Sequence, residues 1–352
     1  MWKDRRLCDL LDIDHPIIQA PMAGASTPEM AIAVANAGGM GSLGCAMQTV
    51  DQVTHDMHQI RQRTNRAINL NFFVHTPPRI NPERAVAAQD RLENWYETLN
   101  AGDIPAAVAT HYPFNSAMCD AVVRLAPKVV SFHFGLPESS MITTLKTAGI
   151  VILSSATSVA EARYLEENGA DAIIAQSYEA GGHSGWFLPR GAAEVAGTMA
   201  LVPRIVDAVN VPVIAAGGIA DGRGIAAALM LGAAGVQIGT AFMATPECMA
   251  SQTHKNALLA ASGDDTMMSK AFSGRHARTL VNKYATEMAP VDDWPDFPVM
   301  NALTGPIRKA SAQADSPDAI ALWSGQAVGL IRAASTTEVF EQLLAQVKAL
   351  HP

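Results

Sequence analysis

Chemistry is concentrated first in Gly181-Gly-His183-Ser-Gly185, a glycine-rich stretch that follows the short apolar run 172–175. Histidine changes charge near neutral pH and serves as general acid, base or anion-stabilising donor. Glycines on both sides let the backbone bend and approach a ligand closely. A histidine so placed, at the end of a buried strand, is positioned for chemistry; the plainer reading is a solvated loop histidine. Two more glycine turns, Ala216-Gly217-Gly218-Ile219 and Gln237-Ile238-Gly239-Thr240, end the last two apolar runs of the first 245 residues. Backbone N–H groups can converge there on a phosphate, with the Thr240 hydroxyl added. The plainer reading is two tight turns beside packed helices.

Polar side chains on otherwise apolar runs form a third group. Asn71 and Gln176 carry carboxamides, which suit the edge of a heterocycle such as an isoalloxazine or bridge neighbouring strands. His133 lies between Phe132 and Phe134, where a core histidine and a substrate contact are both readable. Trp323 in Trp323-Ser-Gly-Gln326 reads as packing or a lid. Arg275, Arg278 and Lys283 could neutralise an anion, with solvated surface charge as the default. Walker A, G-x-S-x-G, H-E-x-x-H and EF-hand patterns are absent.

The elements that must position these residues follow a strand-helix rhythm. Apolar runs at 16–22, 40–43, 67–74, 129–134, 150–155, 172–176, 211–216 and 235–239 read as strands, most of them followed by a helix. They are continuous rather than alternating, as expected of strands buried on both faces. Eight β/α units point to a TIM (β/α)8 barrel of the α/β class. A doubly wound sheet is the alternative, but no G-x-G-x-x-G follows the first strand. Function in a barrel sits at the C-terminal strand ends, where the residues above lie. Residues 1–245 with 321–352 are expected to form the barrel, 75–128 an elaborated connection after the third strand, and 246–320 a smaller helical cap.

Composition narrows the class. Of 352 residues, 49% are hydrophobic and 16% charged, which fits a well-buried core. The net charge of −8 argues against nucleic acid or an anionic membrane as partner. Cys8, Cys45, Cys119 and Cys248 lie far apart, against a zinc or disulfide framework and in favour of a reducing, cytoplasmic setting. No apolar run reaches membrane-span length and the N-terminus carries no long h-region.

Four segments carry a resemblance: His15-Pro-Ile-Ile-Gln-Ala-Pro-Met-Ala23, Glu179-Ala-Gly-Gly-His-Ser-Gly185, Val213-Ile-Ala-Ala-Gly-Gly-Ile-Ala-Asp-Gly-Arg223 and Gly235-Val-Gln-Ile-Gly-Thr240. They resemble the nitronate monooxygenases, formerly called 2-nitropropane dioxygenases, over nearly the whole chain. Lys270-Ala-Phe-Ser-Gly-Arg275 and Trp323-Ser-Gly-Gln326 look like the class I members. FMN-dependent enoyl-acyl-carrier-protein reductases share the barrel motifs; the C-terminal motifs and Ser131-Phe-His-Phe-Gly-Leu-Pro137 favour the nitronate enzymes.

The resemblance implies a non-covalent FMN held by Met22, Asn71, Gln176, Gly181, Gly218, Gln237, Ile238, Gly239 and Thr240, with Gly217 in the same turn. It implies His183 as the catalytic histidine and His133, Trp323, Ser324 and Gln326 at the substrate. The implied reaction is oxidation of an alkyl nitronate, typically propionate 3-nitronate, by O2 to a carbonyl compound and nitrite; separately from the resemblance, the chain is expected to be a monomer or homodimer. Two other readings stand beside it: an FMN-dependent NAD(P)H oxidoreductase of the enoyl or quinone reductase type, and a flavin-free barrel for a phosphorylated metabolite.

Overall fold

The continuous apolar runs become parallel strands because each is covered on both faces. The computed structural model describes residues 2–189 and 195–350. Its strands are β1 (Ile17–Gln19), β2 (Gly41–Gly44), β3 (Ile68–Phe73), β4 (Val129–His133), β5 (Val151–Ala156), β6 (Ala172–Gln176), β7 (Gly182–His183), β8 (Val213–Ala216), β9 (Gly235–Ile238), β10 (Thr266–Ser269) and β11 (Ala277–Leu280). Eight of them form one parallel sheet in the order β1-β9-β8-β6-β5-β4-β3-β2. A bridge from Ile18 to Met40 joins its two ends and closes the (β/α)8 barrel. Closure is reinforced by the buried Gln19 side chain, whose Oε1 accepts from Ser42 N at 2.9 Å.

The intervening helices start where the sequence supplies caps. Thr27 and Asn81 cap helices that open with Pro28 and Pro82, and Thr49 forms a capping box with Gln52. One apolar cluster joins the barrel strands to a short helix, Arg6–Leu11, through Leu7, Cys8 and Leu11. A Cβ at Gly235 would collide with Leu7, so glycine there admits the helix against the base of β9.

A separate apolar cluster is drawn from two distant parts of the chain. Helix Pro82–Leu99, in the connection after β3, packs on helix Val299–Gln313. Leu92, Trp95 and Tyr96 share a cluster with Phe272, Tyr284, Met300, Leu303 and Ile307. Tyr96 Oη donates to the Leu303 carbonyl at 2.6 Å. Burying each large apolar side chain there is worth about 1.5–3 kcal/mol, enough to hold the two segments as a unit. Besides its helices, the stretch 246–320 contributes β10 and β11, an antiparallel pair. The central strand of the resulting three-stranded sheet, β11, also pairs with β7, setting Ala277 opposite His183. Among the described residues, no helix is long and apolar enough to cross a membrane.

Candidate active site

A cavity of about 450 Å³ opens at the C-terminal ends of the barrel strands. That volume lies within the range of small-molecule sites. The barrel supplies Met22, Asn71, His133, Gln176, Gly181, Gly217, Gly218, Gln237, Gly239 and Thr240, and the later part of the chain supplies Phe297, Asn301, Arg308 and Trp323.

His183 is fixed through its backbone. Its carbonyl accepts from Gln176 Nε2 at 3.0 Å and from His133 Nε2 at 3.1 Å. Gly185 N donates to Gln176 Oε1 at 2.7 Å, and Ser184 N to the His276 carbonyl at 2.8 Å. Gln176, expected at the cofactor, lines the cavity but spends both ends of its amide on this loop. His133, expected at the substrate, also lines the cavity. Its Nδ1 meets Ser155 Oγ at 2.6 Å, so Nε2–H donates to the loop and Nδ1 accepts the serine proton. Both ring nitrogens are therefore committed to holding His183.

The His183 side chain is left for the cavity. Its Nε2 meets Ser273 Oγ at 2.9 Å; its Nδ1 has no partner among the described residues. Phe297 and Trp323 pack around the ring, with centroids at 5.1 and 5.5 Å. Burial, then the neighbouring His133, Arg275, His111 and Arg308, pushes its proton affinity well below that of a free histidine. Burial first, with Arg275 second, likewise takes His133 down to about 4. Both rings are neutral at pH 7.

This has a measurable consequence for stability. The folded-state values lie below the ordinary 6.5, so below that pH the unfolded chain takes up protons that the folded protein refuses. Stability from this source is intact above about pH 6.5 and drains away as pH falls towards about 4. Melting temperature measured from pH 8 to pH 4 should be flat at first and then decline; a rise through that window would contradict neutral buried histidines.

The glycine turns sit where the sequence reading puts them. Gly217 and Gly218 have φ of +107° and +69°, the left-handed region that disfavours side chains. A Cβ on Gly217 would also lie 2.8 Å from Ala180 N. Thr198 Oγ1 braces this turn, donating among Glu179 Oε2, Ser177 Oγ and the Gly217 carbonyl at 2.7–2.8 Å. Thr240 Oγ1 accepts from Gly325 N at 3.0 Å and keeps its own proton to donate. Asn71 Nδ2 donates to Ser131 Oγ at 2.9 Å, leaving its carbonyl oxygen. Gln237 Oε1 is buried without a partner among the described residues. Ile238 is buried and its side chain does not line the cavity.

A family model described as nitronate monooxygenase matches residues 4–346. The chain belongs to the nitronate monooxygenase family. It is thereby an oxidoreductase acting on nitronates in the broad sense. A probable nitronate monooxygenase of Staphylococcus aureus (strain Newman) is 37% identical over 352 residues, covering 99% of each chain. Among solved structures, a nitroalkane oxidase from Streptomyces ansochromogenes superimposes with a TM-score of 0.90 at 36% identity, over 97% of this chain and 98% of that one. FabK from Thermotoga maritima gives 0.76 at 31% identity, over 98% and 96%.

Of the C-terminal motif expected at a nitronate monooxygenase substrate, Trp323 alone presents its side chain to the cavity. Its carbonyl accepts from His254 Nε2 at 3.1 Å, which ties the Trp323 segment to helix Gln252–Ala260. Ser324 and Gln326 do not line the cavity. Ser324 is fully buried behind it; Gln326 is exposed, its backbone N donating to the Glu179 carbonyl at 3.0 Å. Their backbone, not their side chains, closes the wall: a Cβ on Gly181 would lie 2.6 Å from Gly325 N.

Of the cations suspected from sequence, Arg275 lies over the Phe134 ring at 4.0 Å, Arg278 is buried over Tyr178, and Lys283 is exposed. None of these three lines the cavity; Arg308 does. Sequence reading also passed over Ser273 and Glu161. Glu161 is 1% exposed and accepts from Thr157 N and Phe187 N, both at 2.7 Å, pinning the segment that follows the His183 loop.

Proposed function

We propose that this chain oxidises small alkyl nitronates of the propionate 3-nitronate kind with O2, giving a carbonyl compound and nitrite, and that it does so with bound FMN. The observation that carries the reading is His183, held by its backbone in the lining of a cavity that the two glycine turns also line, with Nδ1 without a partner among the described residues. The residues present fit the cofactor. The left-handed Gly217-Gly218 turn and Gly239 leave backbone N–H groups uncovered for a phosphate. The orphaned Gln237 Oε1 and the unspent Asn71 carbonyl are acceptors suited to a ring N–H. When bound, the flavin supplies the one-electron chemistry that passes from the nitronate to oxygen.

The chain's own groups bind and orient. Ser273 Oγ can donate to or accept from His183 Nε2, so Nδ1 presents either a proton or a lone pair. A proton at Nδ1 holds a nitronate oxygen. A lone pair at Nδ1 serves only a neutral nitroalkane, which needs deprotonation. Phe297, Phe73 and Trp323 exclude water, which strengthens either interaction. The four buried, unpaired thiols accord with a cytoplasmic setting.

The test is one set of measurements on purified protein. We expect a flavin absorption spectrum, with O2 uptake and nitrite release on propionate 3-nitronate that do not require NADH. Steady NADH oxidation without nitronate turnover would replace this reading by the reductase one. Absence of flavin bands even after FMN is added would reject both.

A further inference from the structure

We infer that Ser273 is a positioning residue that selects the tautomer of His183: its hydroxyl proton goes to the Arg275 carbonyl, its oxygen accepts from His183 Nε2–H, and Nδ1 is left with a lone pair. The inference rests on the nitronate reading and deepens it, because it decides which protonation form of the substrate the resting site is set for.

Ser273 lies in the turn between β10 and β11 and is fully buried, so its hydroxyl bonds within the protein. The turn is clamped. Ser273 N and Gly274 N donate to the Lys270 carbonyl at 3.2 and 2.7 Å. Tyr284 Oη holds the Ala271 carbonyl at 3.0 Å, and Thr304 Oγ1 holds the Phe272 carbonyl at 2.6 Å. Gly274 has φ of +85°, and a Cβ there would lie 2.7 Å from Phe297 N. The serine oxygen therefore has little freedom of position, and only its proton can turn.

Three groups meet Ser273 Oγ: Arg275 N at 3.3 Å, the Arg275 carbonyl at 3.2 Å and His183 Nε2 at 2.9 Å. A hydroxyl has one proton and two lone pairs. The Arg275 N–H can only donate and takes one lone pair; the carbonyl can only accept and takes the proton. The second lone pair remains for Nε2, which must then carry a hydrogen. Turning the proton to Nε2 instead satisfies two of the three contacts. The ring is neutral, so a hydrogen on Nε2 leaves Nδ1 as an acceptor. His183 lines the cavity, and an acceptor there suits a substrate that arrives with its proton. The α-carbon proton of a neutral nitroalkane passes to Nδ1, and the C–H electron pair becomes part of the C=N bond of the nitronate. The imidazolium so formed keeps Nε2–H on Ser273 and offers Nδ1–H to the new anion. A nitronate supplied ready-made brings no proton. Holding it at a neutral ring requires the proton on Nδ1 and the hydroxyl turned away from Arg275.

The experiment is imidazole nitrogen NMR of histidine-labelled holoenzyme, as wild type and Ser273→Ala, with His183→Asn identifying the signal. Wild type should carry the proton on Nε2 in about fivefold or greater excess, the population equivalent of one hydrogen bond. Ser273→Ala should lose that excess. The same two proteins are assayed with 1-nitropropane and with its nitronate, which share a carbon skeleton and differ by one proton. The substitution should lower kcat/KM for the neutral compound by about tenfold or more beyond any loss on the nitronate, as loss of a charge-assisted acceptor predicts. Melting temperature and flavin content separate this from misfolding. A resting proton on Nδ1, a tautomer ratio unmoved by the substitution, or equal losses on both substrates would overturn the inference. If wild type does not oxidise the neutral compound, the spectrum decides alone. If it oxidises neither, the proposed function fails and the spectrum still decides the role of Ser273.

Discussion

His183→Asn should lower kcat on a nitronate by about a hundredfold or more, the scale of losing a positioned acid-base or anion-stabilising group. The protein should still fold and keep its cofactor. The reason is that the loop is not held by the imidazole. The His183 carbonyl takes bonds from Gln176 and His133, Gly185 N bonds Gln176, and β7 pairs with β11. All of these survive removal of the side chain. What is lost is the imidazole itself, with the bond from its Nε2 to Ser273 Oγ at 2.9 Å. Steady-state turnover, circular dichroism and the visible spectrum of the variant together check this. Unchanged turnover would remove His183 from the chemistry, and a loss of flavin equal to the loss of activity would make its role structural.

Gly185→Ala should be nearly as damaging, by a different route. A Cβ at this position would lie 2.6 Å from His133 Cε1 and 2.8 Å from Ser155 Oγ. Those two side chains form the 2.6 Å pair that presents His133 Nε2 to the loop. Something must move, and the movement falls on the group that positions His183. A displacement of about 1 Å can cost about a hundredfold in rate, and overpacking adds about 1–3 kcal/mol of destabilisation. Gly305→Ala is the matched control: nothing lies within 4 Å of a Cβ there, and helix Val299–Gln313 gains a better helix former. Activity should persist in Gly305→Ala and fall in Gly185→Ala. Equal activity in the two would show that the close packing around Gly185 is dispensable.

The barrel was legible because its signal is redundant. Eight apolar runs and their caps each point the same way, and an error of a few residues at any end leaves the count unchanged. The ends of β6, β8 and β9 were legible because glycine has few other reasons to recur there. What sequence could not show is how each polar atom is spent. His133 and Gln176 have the right residue types and lie at the right strand ends, yet their hydrogen bonds go to the His183 loop. Arg308 and Glu161 escaped for the opposite reason. Each sits at a helical position that reads as a solvated charge, and only the packing of a second element turns it inward. Helix Arg6–Leu11 is too short for its periodicity to stand out.

The pairing of β7 with β11 bears on when the site comes into being. His183 meets Ser273 across 90 residues of sequence, and the register that fixes β7 comes from Ala277 and Arg278. A ribosome that has released the chain only through β9 has made every barrel strand and both phosphate-type turns. It has not yet made the strand or the serine that hold the His183 segment and its imidazole, nor Arg308. Such distant contacts form late because loop closure precedes their reward. On the proposed function, its chemistry is thus withheld from the nascent barrel until the final third of the chain has been synthesised and has docked.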